Sequence, residues 1–215
     1  MSRRTIVDIS MIVLMPLLMA YSLIGETFHE VAGTAMLVLF IVHHVINRAS
    51  LKAVGRGKYT PKRVLREAVN VLLFVFMILQ PLTGIMMPKH LYTFLHIAGA
   101  AKARQIHLCL AYWGFTLMSL HAGMHMGSLV VKIKADKVRA RVVATMVAAI
   151  SLYGVYVFIN RGFAGYMLMT QKFAFYDFGE PAVLFVLDYI TVIVLFMLIG
   201  WITQRGPRIV EKKQL

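Results

Sequence analysis

The sequence predicts an all-α, polytopic membrane protein of six transmembrane helices in a single domain spanning residues 1–215. Three observations predict it. Sixty per cent of the 215 residues are hydrophobic and the mean hydropathy is +0.74, well above a soluble domain. Apolar runs long enough to cross a hydrocarbon layer of roughly 30 Å recur six times. The net charge of +14 is gathered into clusters between those runs, the pattern of cytoplasmic membrane loops. That clustering argues for lipid and against nucleic acid as the partner of the basic residues.

The spans are expected at about 5–25, 29–50, 66–87, 104–131, 139–160 and 181–203. The first follows Ser2-Arg3-Arg4, which resembles part of a twin-arginine signal. No small-x-small cleavage site follows it and five more apolar runs do, so it reads as an uncleaved membrane helix. Pro16 lies in the first span and Pro81 in the third, and each is expected to kink its helix. Gly55-Arg56-Gly57 and Tyr59-Thr60-Pro61 mark the loop after the second span, and Thr60 reads as the cap of a short helix with Pro61 at its first position. Eighteen of the 23 basic residues fall on one side, in four groups: Arg3 and Arg4, seven within 48–66, five within 132–141 and four after 204. The excess of positive charge places that side, with both termini, in the cytoplasm, and the protein in the cytoplasmic (inner) membrane.

The spans carry histidines in a repeated spacing. His29 and His43 bound HEVAGTAMLVLFIVH, and His107 and His121 bound HLCLAYWGFTLMSLH. Fourteen residues make four helical turns less about 40°, so both rings of a pair leave nearly the same face, about 21 Å apart along the axis. The second and fourth spans run in the same direction. His29 and His107 therefore lie near the outer surface, and His43 and His121 lie deeper toward the cytoplasm. Neutral imidazole ligates iron without carrying charge into lipid. Two axial imidazoles leave no open position, which suits an iron that only passes electrons. The four histidines thus predict two haems within a haem-binding four-helix core, with the haem irons as their metals. The chain has one cysteine, Cys109, and no C-x-x-C-H, so the haems are b-type. Gly33 and Gly114 lie on the faces of His29 and His107, where a porphyrin needs close approach. Arg104, with Lys102, is placed for the outer propionates, and Arg48, with Asn47, for the inner ones; ordinary interfacial anchoring is the other reading of both arginines.

Other polar residues remain open. His44 is the alternative to His43 at an offset of about +60° from His29. His125, one turn below His121, is a propionate or quinone contact, a metal ligand, or an interfacial residue. His90 and His96 read as surface or quinone-site residues of the outer segment. Asp188, about two turns into the sixth span, either relays a proton from a quinol or pairs with a basic group. Glu26 and Glu30 flank His29 and are candidates to orient its ring. The fifteen methionines read as gap-fillers. With no G-x-G-x-x-G in a strand–turn–helix setting, electrons must come from a separate donor, a quinol being the expected one, with the chain serving as the membrane subunit of an oxidoreductase system. The rival reading is a histidine-using metal-binding membrane protein or transporter, for which only His121 and His125 have ligand spacing.

The paired spacing resembles the cores of two-haem b-type cytochromes, including ferric reductases and respiratory cytochrome b. More closely, HEVAGTAMLVLFIVHHVINR, GKYTPKRVL, RQIHLCLAYWGFTLMSLHAGMH and QKFAFYDFGEPAVLFVLDYI resemble the flavinylation-associated cytochromes, over about residues 10 to 205. The resemblance implies passage of electrons across the cytoplasmic membrane to extracytoplasmic proteins bearing covalent FMN. It also implies His29, His43, His107 and His121 as haem ligands, with His44 and His125 matching the pattern in no settled role.

Overall fold

The computed structural model describes residues 2–49, 54, 59–87, 90–95, 98–127, 130–131 and 136–205. Gly55-Arg56-Gly57, His96 and the basic residues after Arg205 lie outside the described residues. The helices are α1 (Arg3–Met19), α2 (Tyr21–Ile24), α3 (Glu26–Ile46), α4 (Pro61–Ile85), α5 (Ala100–Met124), α6 (Lys137–Asn160), α7 (Phe163–Met167) and α8 (Ala182–Gln204).

Local chemistry explains where they start and stop. Ser2 caps α1 by accepting from the Thr5 N–H at 3.2 Å, and Asp136 caps α6 by accepting from Val138 and Arg139 at 2.9 and 3.1 Å. Thr60 accepts from the Arg63 N–H with Pro61 at the first helical position, as the sequence suggested. The helix it opens is the whole of α4 rather than a short separate one. Pro16 and Pro81 both fall inside helices. The first apolar run is divided rather than continuous: α1 closes at Ala20, α2 adds one turn, and Gly25 turns the chain into α3 at φ +125°.

Four helices, α3, α4, α6 and α8, are long and apolar enough to cross a membrane. Large apolar side chains stand outward along them, among them Leu152, Ile159 and Val183, each more than two-thirds exposed. Water would not tolerate so much of that surface, and lipid would. The chain is a multi-pass, all-helical membrane protein. The other two expected spans differ for identifiable reasons. α1 has only 17 residues before its break. α5 has 25 residues but includes Lys102, Arg104, His107 and His121, and it buries ten of its side chains, so its surroundings are largely protein.

α5 is the central element. It packs against α4 on one side and α8 on the other, with α6 on the far side of α8 and α1 against α3. Glycines set the tightest approaches. A Cβ on Gly123 would overlap the Met197 carbonyl, one on Gly200 the Leu120 carbonyl, and one on Gly154 the Thr191 carbonyl. By contrast, α3 and α5 are not among the closely packed pairs of described helices. A gap is left between the two helices that carry the paired histidines.

Gly123→Leu is expected to lower stability by about 3 kcal/mol or more, because backbone rather than a movable side chain would have to yield. Gly127→Ala, which meets nothing within 4 Å, is expected to stay within about 0.5 kcal/mol. Thermal unfolding of the two variants in detergent checks the contrast.

Candidate cofactor centre

The gap between α3 and α5 is a cavity of about 400 Å³, within the usual range for cofactor sites. His29 and His107 both line it, with ring centroids 6.1 Å apart and planes at 68°. Two metal–nitrogen bonds of about 2 Å plus the depth of each ring need roughly that separation. Gly33, Gly114 and Arg104 line the same cavity. A Cβ on Gly114 would meet nothing within 4 Å, and one on Gly33 only the tip of Leu18, so each glycine keeps cavity space open.

A ligating imidazole needs its second nitrogen occupied by an acceptor, which holds the tautomer and aims the ring. All four proposed ligands meet this condition. His29 Nδ1 lies 3.0 Å from the Leu18 carbonyl, and His107 Nδ1 lies 3.0 Å from the Gln80 carbonyl with Thr83 Oγ1 also at 3.0 Å. His121 Nδ1 lies 2.9 Å from Asn70 Oδ1, and His43 Nδ1 lies 2.8 Å from Asp8 Oδ1. The acceptor comes from a different helix in each case. Neither Glu26 nor Glu30 is the group at His29 Nδ1. Glu30 instead accepts from the backbone N–H groups of His90 and Leu91, and Glu26 Oε2 lies 3.8 Å from His90 Nε2. With the Thr34–Tyr92 hydroxyl contact at 2.9 Å, this pins the segment before α5 onto α3 at the cavity mouth.

The inner histidines are arranged differently. His43 and His44 rings lie 5.4 Å apart, and His121 and His125 rings 4.7 Å apart. His44 Nδ1 is held by its own helix, at 2.9 Å from the Phe40 carbonyl, and its ring sits against Phe40 and Phe74. His125 is the exposed C-cap of α5. Asn47 donates to the His43 carbonyl, and Arg48 is exposed just past the end of α3. Among the described residues, no group of three metal-ligand side chains is placed to hold a metal ion.

Asp188 is paired with a basic group. Arg161 donates to Asp188 Oδ2 from Nε and Nη2 and to both oxygens of Glu180, while the Tyr153 hydroxyl donates to Asp188 Oδ1 at 3.0 Å. Arg161 also lies over the Phe185 ring.

Residues 6–133, more than half of the chain, match the family model for prokaryotic cytochrome b561. The chain belongs to that family. The matched region holds all four paired histidines, helices α2 to α5 and all but the first three residues of α1. Comparison with curated proteins and with solved structures finds no match. As a member of the cytochrome b561 family the protein is a membrane b-type cytochrome of electron transfer, and its cofactor is haem b.

The outer cavity fits that cofactor on structural grounds. It offers two imidazoles with ring centroids 6.1 Å apart, two glycines that leave space, and a cation at its edge. The Gln80 amide nitrogen lies 3.1 Å from His107 Nε2, the atom an iron would take, so the Gln80 side chain would move aside when the cofactor is bound.

Several of these partners were missed in the sequence. Asp8, Asn70 and Gln80 were the available signals, each a polar residue isolated in an apolar run.

Arg161→Leu should leave two partly buried carboxylates unopposed and cost about 3 kcal/mol. Adding Glu180→Gln and Asp188→Asn should recover most of it, as thermal unfolding of the single and triple variants would record.

Proposed function

We propose that this cytochrome holds two haems b, one above the other, and carries electrons across the cytoplasmic membrane. His29 and His107 would ligate the outer haem, and His43 and His121 the inner one. The observation that carries the reading is the nearness of the His29 and His107 rings in one cavity, 6.1 Å between centroids, with each Nδ1 already held by an acceptor. The inner pair is supported by the same anchoring, through Asp8 and Asn70. His43 is favoured over His44 because its acceptor is a carboxylate from another helix, an arrangement frequent behind metal-bound imidazole. His44 is held back against its own helix.

A haem with two axial imidazoles exchanges one electron at a time and offers no open position to oxygen. The chain's own residues do the rest. Leu18, Gln80, Asp8 and Asn70 aim the rings, Gly33 and Gly114 keep the walls thin, and Arg104 and Arg48 supply charge for the outer and inner propionates. All six apolar runs would cross the inner membrane, with α1–α2 and α5 as the two less apolar spans and both termini cytoplasmic. A quinol is the proposed donor and an extracytoplasmic FMN-bearing protein the proposed acceptor, the latter resting on the sequence resemblance.

Pyridine haemochrome of the purified protein should give two haems per chain, with a sharp b-type α band on reduction. A colourless protein after expression with ample haem would end the proposal. His107→Ala and His121→Ala are each expected to leave one haem per chain, with different residual spectra, and His44→Ala to leave two. Loss of the inner haem in His44→Ala would transfer that ligand role from His43 to His44. Asp8→Ala and Asn70→Leu should retain the outer haem and weaken binding of the inner one by about 10- to 100-fold, measured by haem transfer to apomyoglobin.

A further inference from the structure

The break in the first apolar run supplies the acceptor behind His29. α1 ends at Met19, and the last carbonyls of a helix have no donor within it. Two consecutive carbonyls at this end meet groups from elsewhere in the fold. The Leu18 carbonyl lies 3.0 Å from His29 Nδ1, and the Met19 carbonyl accepts from the Tyr176 hydroxyl at 2.8 Å. An unbroken helix through α1 and α2 would have closed both carbonyls with its own N–H groups.

Tyr176 comes from the segment that joins α7 to α8, beyond the 6–133 stretch that matches the cytochrome b561 family. That segment is firmly seated. The Phe175 N–H donates to the Tyr166 hydroxyl at 3.1 Å, and the buried Tyr166 ring is stacked on Tyr112 at 4.3 Å. The Tyr176 ring lies 5.6 Å from Phe185 of α8. Its hydroxyl therefore pins the end of α1 to α5, α7 and α8. A second route runs through side chains. The Tyr21 ring stands edge-on to His29 at 5.4 Å and edge-on to Tyr176 at 5.6 Å. Tyr176 thus steadies His29 twice, through the Leu18–Met19 backbone and through the Tyr21 ring.

The consequence is chemical. A firm acceptor at the Nδ1–H makes imidazole a more basic ligand, which favours ferric over ferrous iron. If the Met19 carbonyl is released, the neighbouring Leu18 peptide plane is free to turn, and the bond to Nδ1 weakens.

We infer that Tyr176 is a positioning residue for His29, through which a segment outside the family match sets the potential of the outer haem. The grip on His29 stands on the geometry alone, whereas its effect on a potential rests on the function proposed above.

The test uses the full-length protein in detergent with isotope-labelled histidine, read by NMR before haem is added. Tyr176→Phe keeps the ring and loses the hydroxyl. It is expected to move the His29 Nδ1–H signal upfield and to leave those of His43 and His121 in place, with assignments from the three His→Ala variants. Phe175→Ala, at a neighbouring ring 76% exposed, should move none of them. In haem-loaded protein, Tyr176→Phe should retain both haems. It should shift the reduction equilibrium of the outer haem toward the ferrous form by about threefold, less than the roughly 10- to 100-fold effect of removing a group bonded directly to a ligand. The inner haem should not change.

An unmoved His29 signal in folded Tyr176→Phe protein would overturn the inference, as would equal movement of all three signals. A shifted potential with an unmoved signal would also overturn it, because the hydroxyl would then act on the cofactor directly. A moved signal with both potentials unchanged would do the same. Tyr21→Leu, which removes only the ring contact, is expected to move the His29 signal too, and decides the matter if Tyr176→Phe does not fold. Full retention of haem in His29→Ala would remove the outer-ligand reading, and the haem-free signal would still decide the grip on its own.

Discussion

An imidazole has one lone pair to offer, and the group bonded to its other nitrogen decides where that lone pair points. The rest of this structure depends on that constraint. Four histidines must each be held from behind, and each acceptor must reach in from a neighbouring helix. Leu18 of α1, Asp8 of α1, Asn70 of α4 and Gln80 of α4 do so. α1 thus supports the histidines of α3, and α4 supports those of α5. Four of the helices in the family match are tied in two pairs, α1 with α3 and α4 with α5.

Helix spacing follows the same logic. α5 is drawn against α8 through Gly123 and Gly200, where backbone meets side-chain-free backbone. It stands away from α3, where the cavity lies. A helix packed so closely on one face and parted from its neighbour on another needs a firm outer layer, and α6, α7 and α8 provide it. The buried aromatic cluster of Tyr112, Phe163, Phe185 and Tyr189 fills the junction between that layer and the cofactor core. The Arg161, Glu180 and Asp188 group ties the same junction by charge.

Much of this could be read from residues alone. The fourteen-residue spacing was enough to put both rings of each pair on one helix face, because helix periodicity is local and insensitive to packing. Thr60 and Pro61 were legible for the same reason. Two of the acceptors behind the rings, the Leu18 and Gln80 carbonyls, were not, because backbone carries no side-chain signature; the other two, Asp8 and Asn70, stood out as polar residues in apolar runs and went unassigned. Part of the role of Glu30 was hidden: a neighbour of His29 in sequence also holds the backbone of His90 and Leu91, a contact across 60 residues that no local pattern marks. The split of the first apolar run at Ala20 and Gly25 was hidden by hydropathy, which continues smoothly across it. α5 showed the opposite effect, being less apolar than its neighbours because its surroundings are protein.

The Glu30 clamp has a further consequence for how such a molecule is put together. By stitching the chain ahead of α5 across the opening between two histidine-bearing helices, it turns that opening into a latched door. A rigid disc as wide as a porphyrin entering from that side would have to displace it. Maturation would then have a built-in order, in which filling comes first and closure second.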